Sequence, residues 1–182
     1  MNRPILPLIM LVTVAGCRKE PTVEAHNASV SDVANQVAEA TEGGEFIRPG
    51  KWASTMVMDE LSAPNMPPEM AAHMKSVLGQ ERKSESCLTP EQVNKPKEDF
   101  FAGQNNNCRY DHFKMAGGKI DAKMRCSQDG VSQVMEMAGT YGPDSYSAVM
   151  SAQMEGMGSP GAMTMRMHVS AKRVGECTKN ES

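Results

Sequence analysis

The chain has 182 residues and a formal net charge of -3 at pH 7. This length fits one domain with extensions. The near-balanced charge and an aromatic content of 4% argue against a basic nucleic-acid-binding face and against a base-stacking platform. The chain contains 17 methionines, which predicts a core rich in flexible thioether side chains that specify geometry weakly.

Residues 1–16 have the pattern of an export signal. Arg3 gives a positive start, an apolar stretch runs from Ile5 to Val14, and two small residues precede Cys17. The apolar stretch is too short to span a bilayer as a mature helix. The prolines in this segment argue against the alternative, a buried N-terminal helix. We therefore predict that residues 1–16 are a signal peptide.

The four residues Val14-Ala15-Gly16-Cys17 resemble the lipobox of bacterial lipoproteins. The resemblance implies cleavage before Cys17, acylation of its thiol and anchoring to a membrane through several acyl chains. Arg18 follows, where an Asp would favour retention in the inner membrane. The resemblance therefore implies an outer-membrane lipoprotein that faces the periplasm.

Residues 17–44 are poor in apolar side chains and end at Gly43-Gly44. This composition predicts a lipidated cysteine followed by a flexible tether. One feature leaves an alternative open, because four apolar residues are spaced to line one side of a short helix: Val30, Val33, Ala34 and Val37.

Residues 45–178 are predicted to form a single, mainly β domain. Apolar and polar residues alternate with a period of two; the strand patterns cover 51–60, 81–88, 108–115, 119–126, 131–141, 145–154 and 163–172. The last five of these, joined by turns such as Gly117-Gly118, predict an antiparallel meander with one apolar face, strongly twisted or curled into a half-barrel.

Two short helices are predicted to cover the apolar face of this sheet. Residues 67–78 have helical spacing after a proline, and a second helix begins at Thr89-Pro90. Phe100 and Phe101 are expected to close the following segment onto the core.

Four cysteines remain beyond Cys17: Cys87, Cys108, Cys126 and Cys177. An even number of thiols in an exported chain predicts two disulfides, for which three pairings exist. We favour Cys87–Cys108, which would clip the second helix between its flanking strands, with Cys126–Cys177, which would tie the hairpin to the chain end. The rival, a zinc site, lacks a Cys-x₂-Cys or a histidine pair at ligand spacing.

Several segments together resemble a known bacterial family. They are Pro49-Gly50-Lys51-Trp52, Cys87-Leu88-Thr89-Pro90-Glu91, Cys108 with Phe113-Lys114-Met115, Gly117-Gly118-Lys119-Ile120-Asp121, Cys126, and Arg173-Val174-Gly175-Glu176-Cys177. In this order they resemble the domain of unknown function numbered thirty-six seventeen. The resemblance implies export, paired cysteines and a mostly β domain, and it implies no activity.

The methionines suggest two functions. A Met-lined face is suited to an acyl chain or another apolar ligand, or it simply fills the core. The alternative function is Cu(I) chelation, because soft sulfur suits Cu(I) and methionines recur two residues apart: Met56 and Met58, Met135 and Met137, and Met163, Met165 and Met167. Shared ligation requires thioethers that converge from neighbouring strands and are open to water.

The histidines do not suggest catalysis. His26 lies in the predicted tether, His73 on the polar side of a helix and His168 on a wetted strand face. His112 adjoins Asp111, but successive residues of a strand project to opposite faces. We predict a non-catalytic binding or envelope-associated module without cofactor, metal or catalytic residues; its expected partners are the membrane, through the lipid anchor, and an apolar ligand or envelope protein.

Overall fold

The computed structural model describes residues 21–41, 46–64, 66–94, 107–128, 130–156 and 159–178. Three helices occur there: α1 (Val30–Thr41), α2 (Pro68–Leu78) and α3 (Pro90–Asn94). The strands are β1 (Val23–Ser29), β2 (Gly50–Ser62), β3 (Arg82–Leu88), β4 (Cys108–Ala116), β5 (Lys119–Gln128), β6 (Val131–Gly142), β7 (Ser145–Gly156) and β8 (Ser159–Gly175).

All eight strands form one open antiparallel sheet in the order β1-β4-β5-β6-β7-β8-β2-β3. The predicted mainly β fold is confirmed, and so is the meander, which comprises β4 to β8. Gly117 and Gly118 both adopt positive φ angles, 57° and 69°, in the hairpin between β4 and β5. This conformation matches the twist of the flanking strands and is accessible to glycine at little cost.

The prediction of a flexible tether is wrong for residues 23–41. β1 pairs with β4 along the edge of the sheet, and α1 buries Val30, Val33, Ala34 and Val37. The N-terminus of α1 is capped reciprocally: Ser29 Oγ accepts from the Asp32 amide at 3.1 Å, and the Asp32 carboxylate accepts from the Ser29 amide at 3.3 Å. These hydrogen bonds lower the pKa of Asp32. The folded domain therefore begins well before residue 45.

The main core lies where α1 packs against β1 and β4. Its centre is closed to solvent, since Val33, Val37, Phe113 and Met115 have 0% exposure. The cluster, which we call the α1 core, also includes Val23, Ala25, Val30, Cys108, Tyr110, Ala122, Met124 and Cys126. A smaller cluster of Ile47, Trp52 and Ala171 lies farther along the sheet.

The two helices predicted to cover the apolar face do not do so in the described part of the chain. α2 has no buried residue, and Met70 on it is 54% exposed. α3 has only five residues, although Thr89 and Gln92 cap it reciprocally. The covering helix is α1, which lies at one end of the sheet. Among the described residues, no helix is both long enough and apolar enough to cross a membrane.

Candidate functional site

Methionines from neighbouring strands form two rows across one face of the sheet. The pairing register sets residues of adjacent strands directly opposite one another, where their Cβ atoms lie about 4.5–5.5 Å apart. One row runs Ala122, Met137, Met150, Met167 and Met58, and the next runs Met124, Met135, Ala152, Met165 and Leu61. The sequence predicts these alternating positions strand by strand, and the register joins them into one surface.

Between the rows lies a groove of about 270 Å³. Half of its twelve lining residues are methionines: Met124, Met135, Met137, Met150, Met165 and Met167. The other six are Tyr110, Ala122, Gln133, Glu136, Ser151 and Ala152, so no basic side chain contributes to the lining. We call this feature the methionine groove. The two alanines are the small side chains of the rows, and they leave space beside the longer thioethers.

The methionine groove is open because helices pack elsewhere. α1 contacts mainly β1 and β4, and α2 contacts mainly β2. No described residue of β6 or β7 is fully buried. The thioethers of Met135, Met150 and Met167 are consequently half-buried and accessible to small molecules.

Tyr110 marks the boundary between the α1 core and the methionine groove. Its ring packs edge-on against Phe113 with centroids 5.4 Å apart, and it also lines the groove. Burial raises the pKa of the Tyr110 phenol to about 12, because the low-dielectric surroundings disfavour its charged form. The phenol is therefore neutral at physiological pH and adds no charge to the groove.

The opposite face of the sheet is charged and wetted. Exposed ion pairs cross it between neighbouring strands: Arg125 with Asp111 at 2.7 Å and His168 with Asp59 at 2.9 Å. Glu136, which also borders the groove, pairs there with Lys123 at 2.8 Å. Such pairs contribute little to stability individually because water screens them. These charged side chains make the face opposite the methionine groove the solvent-exposed face of the sheet.

The histidines lie away from the methionine groove. His26 and His73 are exposed, and His168 lies on the wetted face as predicted. His112 has a partner that sequence reasoning missed, because its Nε2 lies 2.7 Å from Asp121 Oδ1 on β5. The expectation that residues 111 and 112 project to opposite faces overlooks a bulge in β4, beside which both make polar contacts with β5.

The four cysteines form two disulfides, Cys87–Cys177 and Cys108–Cys126. The favoured pairing of Cys87 with Cys108 and of Cys126 with Cys177 is wrong. Cys108 and Cys126 stand directly opposite one another in the β4–β5 hairpin. Cys87 on β3 and the end of β8 at Gly175 both pair with Lys51 near the start of β2, so Cys177, two residues further on, can meet Cys87. Local sequence patterns do not reveal this arrangement, in which β2 lies between β3 and β8.

Three of the segments that carry the family resemblance, those containing Trp52, Leu88 and Arg173, meet at the end of the sheet occupied by the small cluster. Trp52 Nε1 donates to the Arg48 carbonyl at 3.0 Å, and Arg173 Nε donates to the Pro49 carbonyl at 2.8 Å. A Cβ on Gly50, whose φ is 139°, would lie 2.5 Å from the Gly175 carbonyl oxygen. These residues thus fasten β2 to β8, and they do not line the methionine groove.

Some predictions fall outside the described residues. They include the signal peptide at 1–16, the acylation of Cys17, and the packing of Phe100 and Phe101. Within the described part of the chain, no cluster of three or more His, Cys, Asp or Glu side chains is arranged to hold a metal ion.

Comparison with known proteins identifies a family without an assigned activity. The family model described as "Protein of unknown function (DUF3617)" matches residues 47–177. A search of curated proteins and a search of solved structures each found no match to the chain. The match begins after α1 and ends at Cys177, so the family model covers β2 to β8 and the whole methionine groove.

Proposed function

The chain belongs to the family of proteins of unknown function DUF3617, and we propose that it is a lipid-anchored envelope protein that binds an apolar ligand in the methionine groove without transforming it. The single observation that carries this proposal is the groove itself: about 270 Å³ of open space lined mainly by thioethers and alanines. Small-molecule sites are mostly apolar with a few polar groups, and the groove has that composition.

The envelope location is supported by the sulfur chemistry of the domain. Two disulfides in a small domain are typical of an oxidising compartment such as the periplasm. The lipobox-like residues before Cys17 supply an anchor, and Arg18 favours the outer membrane. Both features agree with a module that works beside a membrane, where acyl chains are abundant.

The ligand class that fits best is a single unbranched acyl chain. The lining contains no basic side chain to neutralise an anionic headgroup, so recognition rests on apolar contact. Methionine is unbranched and adapts to irregular shapes, which suits a flexible chain. Each buried methylene contributes about 0.8 kcal/mol to such binding.

The experiment is a binding titration of the full chain with an uncharged, acyl-chain-like fluorescent probe. Ala152→Glu puts a carboxylate into the groove and should weaken binding at least about tenfold, because an unpaired charge in apolar surroundings is costly. Ala138→Glu is the matched control, since Ala138 lies exposed on the neighbouring strand β6 outside the lining. Equal affinity of both variants and the unsubstituted chain, with intact thermal unfolding, would refute the proposal.

Cu(I) binding is a second candidate, favoured by the register of the first row. Met137, Met150 and Met167 stand directly opposite one another on three consecutive strands, and all are half-buried. Side chains that stand opposite one another on neighbouring strands project side by side, and none of the three residues is fully buried, which supports the two conditions for shared ligation. Soft thioether sulfur suits Cu(I) over harder ions.

Leucine substitutions separate the two candidates. Met150→Leu combined with Met167→Leu keeps the groove apolar while removing two thioethers, so Cu(I) affinity should fall and probe binding should persist. Met56→Leu is the control, because Met56 is exposed and does not line the groove. A competition titration against a Cu(I) chelator reads the affinity, and an unchanged value in the double variant would rule out this ligand set.

A further inference from the structure

We propose that the methionine groove is a site of reversible sulfoxidation, in which hypohalous acids convert its thioethers to sulfoxides and thereby release the apolar ligand. This inference rests on the proposed function, because it assigns a regulation to the same site. The proposal follows from which sulfur-containing side chains the fold buries and which it leaves accessible to solvent.

Sulfur in the described part of the chain occupies four environments, one of which is the exposed surface, where Met56 and Met70 lie. Met115 in the α1 core is fully buried, with 0% exposure. Most methionines of the groove, such as Met135, Met150 and Met167, are half-buried beside the open groove, whereas Met124 is only 4% exposed. The cysteines are closed in two disulfides. Among the described residues, the sulfur atoms that a small oxidant can still oxidise therefore belong to methionines. The methionines that line the groove lie in the proposed ligand site.

The residue choice at these positions also points to sulfur chemistry. Strand positions favour β-branched side chains such as valine and isoleucine, which pack well on a pleated surface. The groove instead has Met137, Met150 and Met167 in one continuous row. Isoleucine would be equally apolar and stiffer, but it has no oxidisable atom.

The chemistry is a two-electron oxygen transfer. The thioether sulfur attacks the oxygen of hypochlorous acid, an S–O bond forms, the O–Cl bond breaks, and chloride and a proton leave. Sulfur is oxidised and chlorine is reduced. The reverse step takes two thiols of a sulfoxide-reducing enzyme, which form one disulfide while the oxygen leaves as water.

Sulfoxidation changes the groove and spares the fold. Each sulfoxide is polar, and an apolar ligand would leave it without a hydrogen-bond partner, which disfavours binding. The α1 core keeps its apolar packing because Met115, Phe113 and Val33 are closed to solvent. We expect probe affinity to fall at least about tenfold, with cooperative unfolding preserved.

The test treats the full chain with increasing hypochlorous acid and maps sulfoxides by peptide mass spectrometry. Met70, 54% exposed on α2, reports simple surface oxidation, and Met115 reports damage to the core. The proposal expects oxidation of Met135, Met150 and Met167 while Met115 remains reduced. If the groove thioethers stay reduced until Met115 reacts, the proposal is overturned.

A second arm measures probe binding and unfolding of the same samples. Oxidised protein should lose binding, and treatment with a methionine sulfoxide reductase and a dithiol should restore it. In a variant with leucine at all five half-buried groove methionines (Met135, Met137, Met150, Met165 and Met167), oxidation should remove a smaller fraction of that variant's own starting binding than it removes from the unsubstituted chain. Met70→Leu should respond like the unsubstituted chain. The proposed regulation would be overturned if probe affinity stayed the same in protein with sulfoxides mapped to the groove. It would also be overturned if oxidation unfolded the protein.

The two proposals fail in different ways. Absence of probe binding before any oxidation refutes the apolar-ligand function and, with it, the regulation of that function. Binding that is present before oxidation and insensitive to it leaves the ligand function standing and removes only the present inference.

Discussion

The α1 core and the methionine groove lie on one sheet and use the same residue type, but they differ in what covers them. Met115 is fully enclosed beneath α1, whereas Met150, three strands away, is half-buried in the open groove. No helix packs chiefly against β6, β7 or β8 in the described part of the chain. Methionine content alone therefore does not distinguish a core from a binding surface. The two regions differ because α1 covers one of them and not the other.

The largest expected effect comes from the disulfides on either side of the groove. In the chain-entropy model, losing Cys87–Cys177, with a separation of 90 residues, costs about 4–5 kcal/mol, and losing Cys108–Cys126, with a separation of 18, costs about 3 kcal/mol. Paired alanine variants measured by urea unfolding test this order. A reversed order would mean that the bridge within the α1 core matters more than the bridge on the far side of the groove.

Truncating one methionine in each region tests the contrast directly. Met115→Ala should lower the free energy of unfolding by about 2–5 kcal/mol, because it opens a cavity in a closed core. Met150→Ala should cost about 1 kcal/mol or less, because its side chain is already partly in solvent. Equal losses in chemical denaturation would mean that the groove is as well packed as the core.

Alkaline unfolding probes the boundary residue Tyr110. Its pKa is about 12 in the folded chain, against an ordinary value of 10.0. Below pH 10 the phenol is neutral in both states and stability does not depend on it. Between pH 10 and 12 only the unfolded chain releases the proton, so stability should fall as the pH rises, by at most about 2–3 kcal/mol. Tyr110→Phe should remove this part of the decline; an identical decline in the variant would assign it to other groups.

The smallest expected change in stability comes from replacing methionine with isoleucine, and its sign should differ between the groove and the α1 core. Met167→Ile in the groove should be neutral or stabilising by up to about 1 kcal/mol, because a β-branched side chain suits a half-buried strand. Met115→Ile in the α1 core should cost about 1 kcal/mol, because the new shape no longer fills a closed space. Thermal melts of both variants give the comparison, and matching shifts would contradict it.

The sequence predicts those structural features that depend on residues close together in the chain. The strands β4 to β8 follow from alternation and glycine turns, since a sheet with one wet face imposes a period of two. α1 was visible as the spacing of Val30, Val33 and Val37, but the polar composition around it favoured a tether. Composition could not show that β1 would pair with β4, whose residues lie 80 or more positions away from their partners.

The candidate site was predictable only in part for the same reason. Alternation places Met135 and Met137 on one face of a strand, yet the groove exists because the register also sets Met150 and Met167 beside them. The disulfide pairing likewise depends on β2 lying between β8 and β3. Long-range register is set by the packing of the whole sheet, and short sequence windows do not contain it.

The place of β1 at the sheet edge sets how far the domain can stand from its anchor. If Cys17 is acylated, residues 18–22 alone link the lipid to Val23. The six Cα–Cα steps from Cys17 to Val23 reach at most about 22 Å, less than the thickness of a bilayer. In that case the folded domain would stay close to the membrane surface.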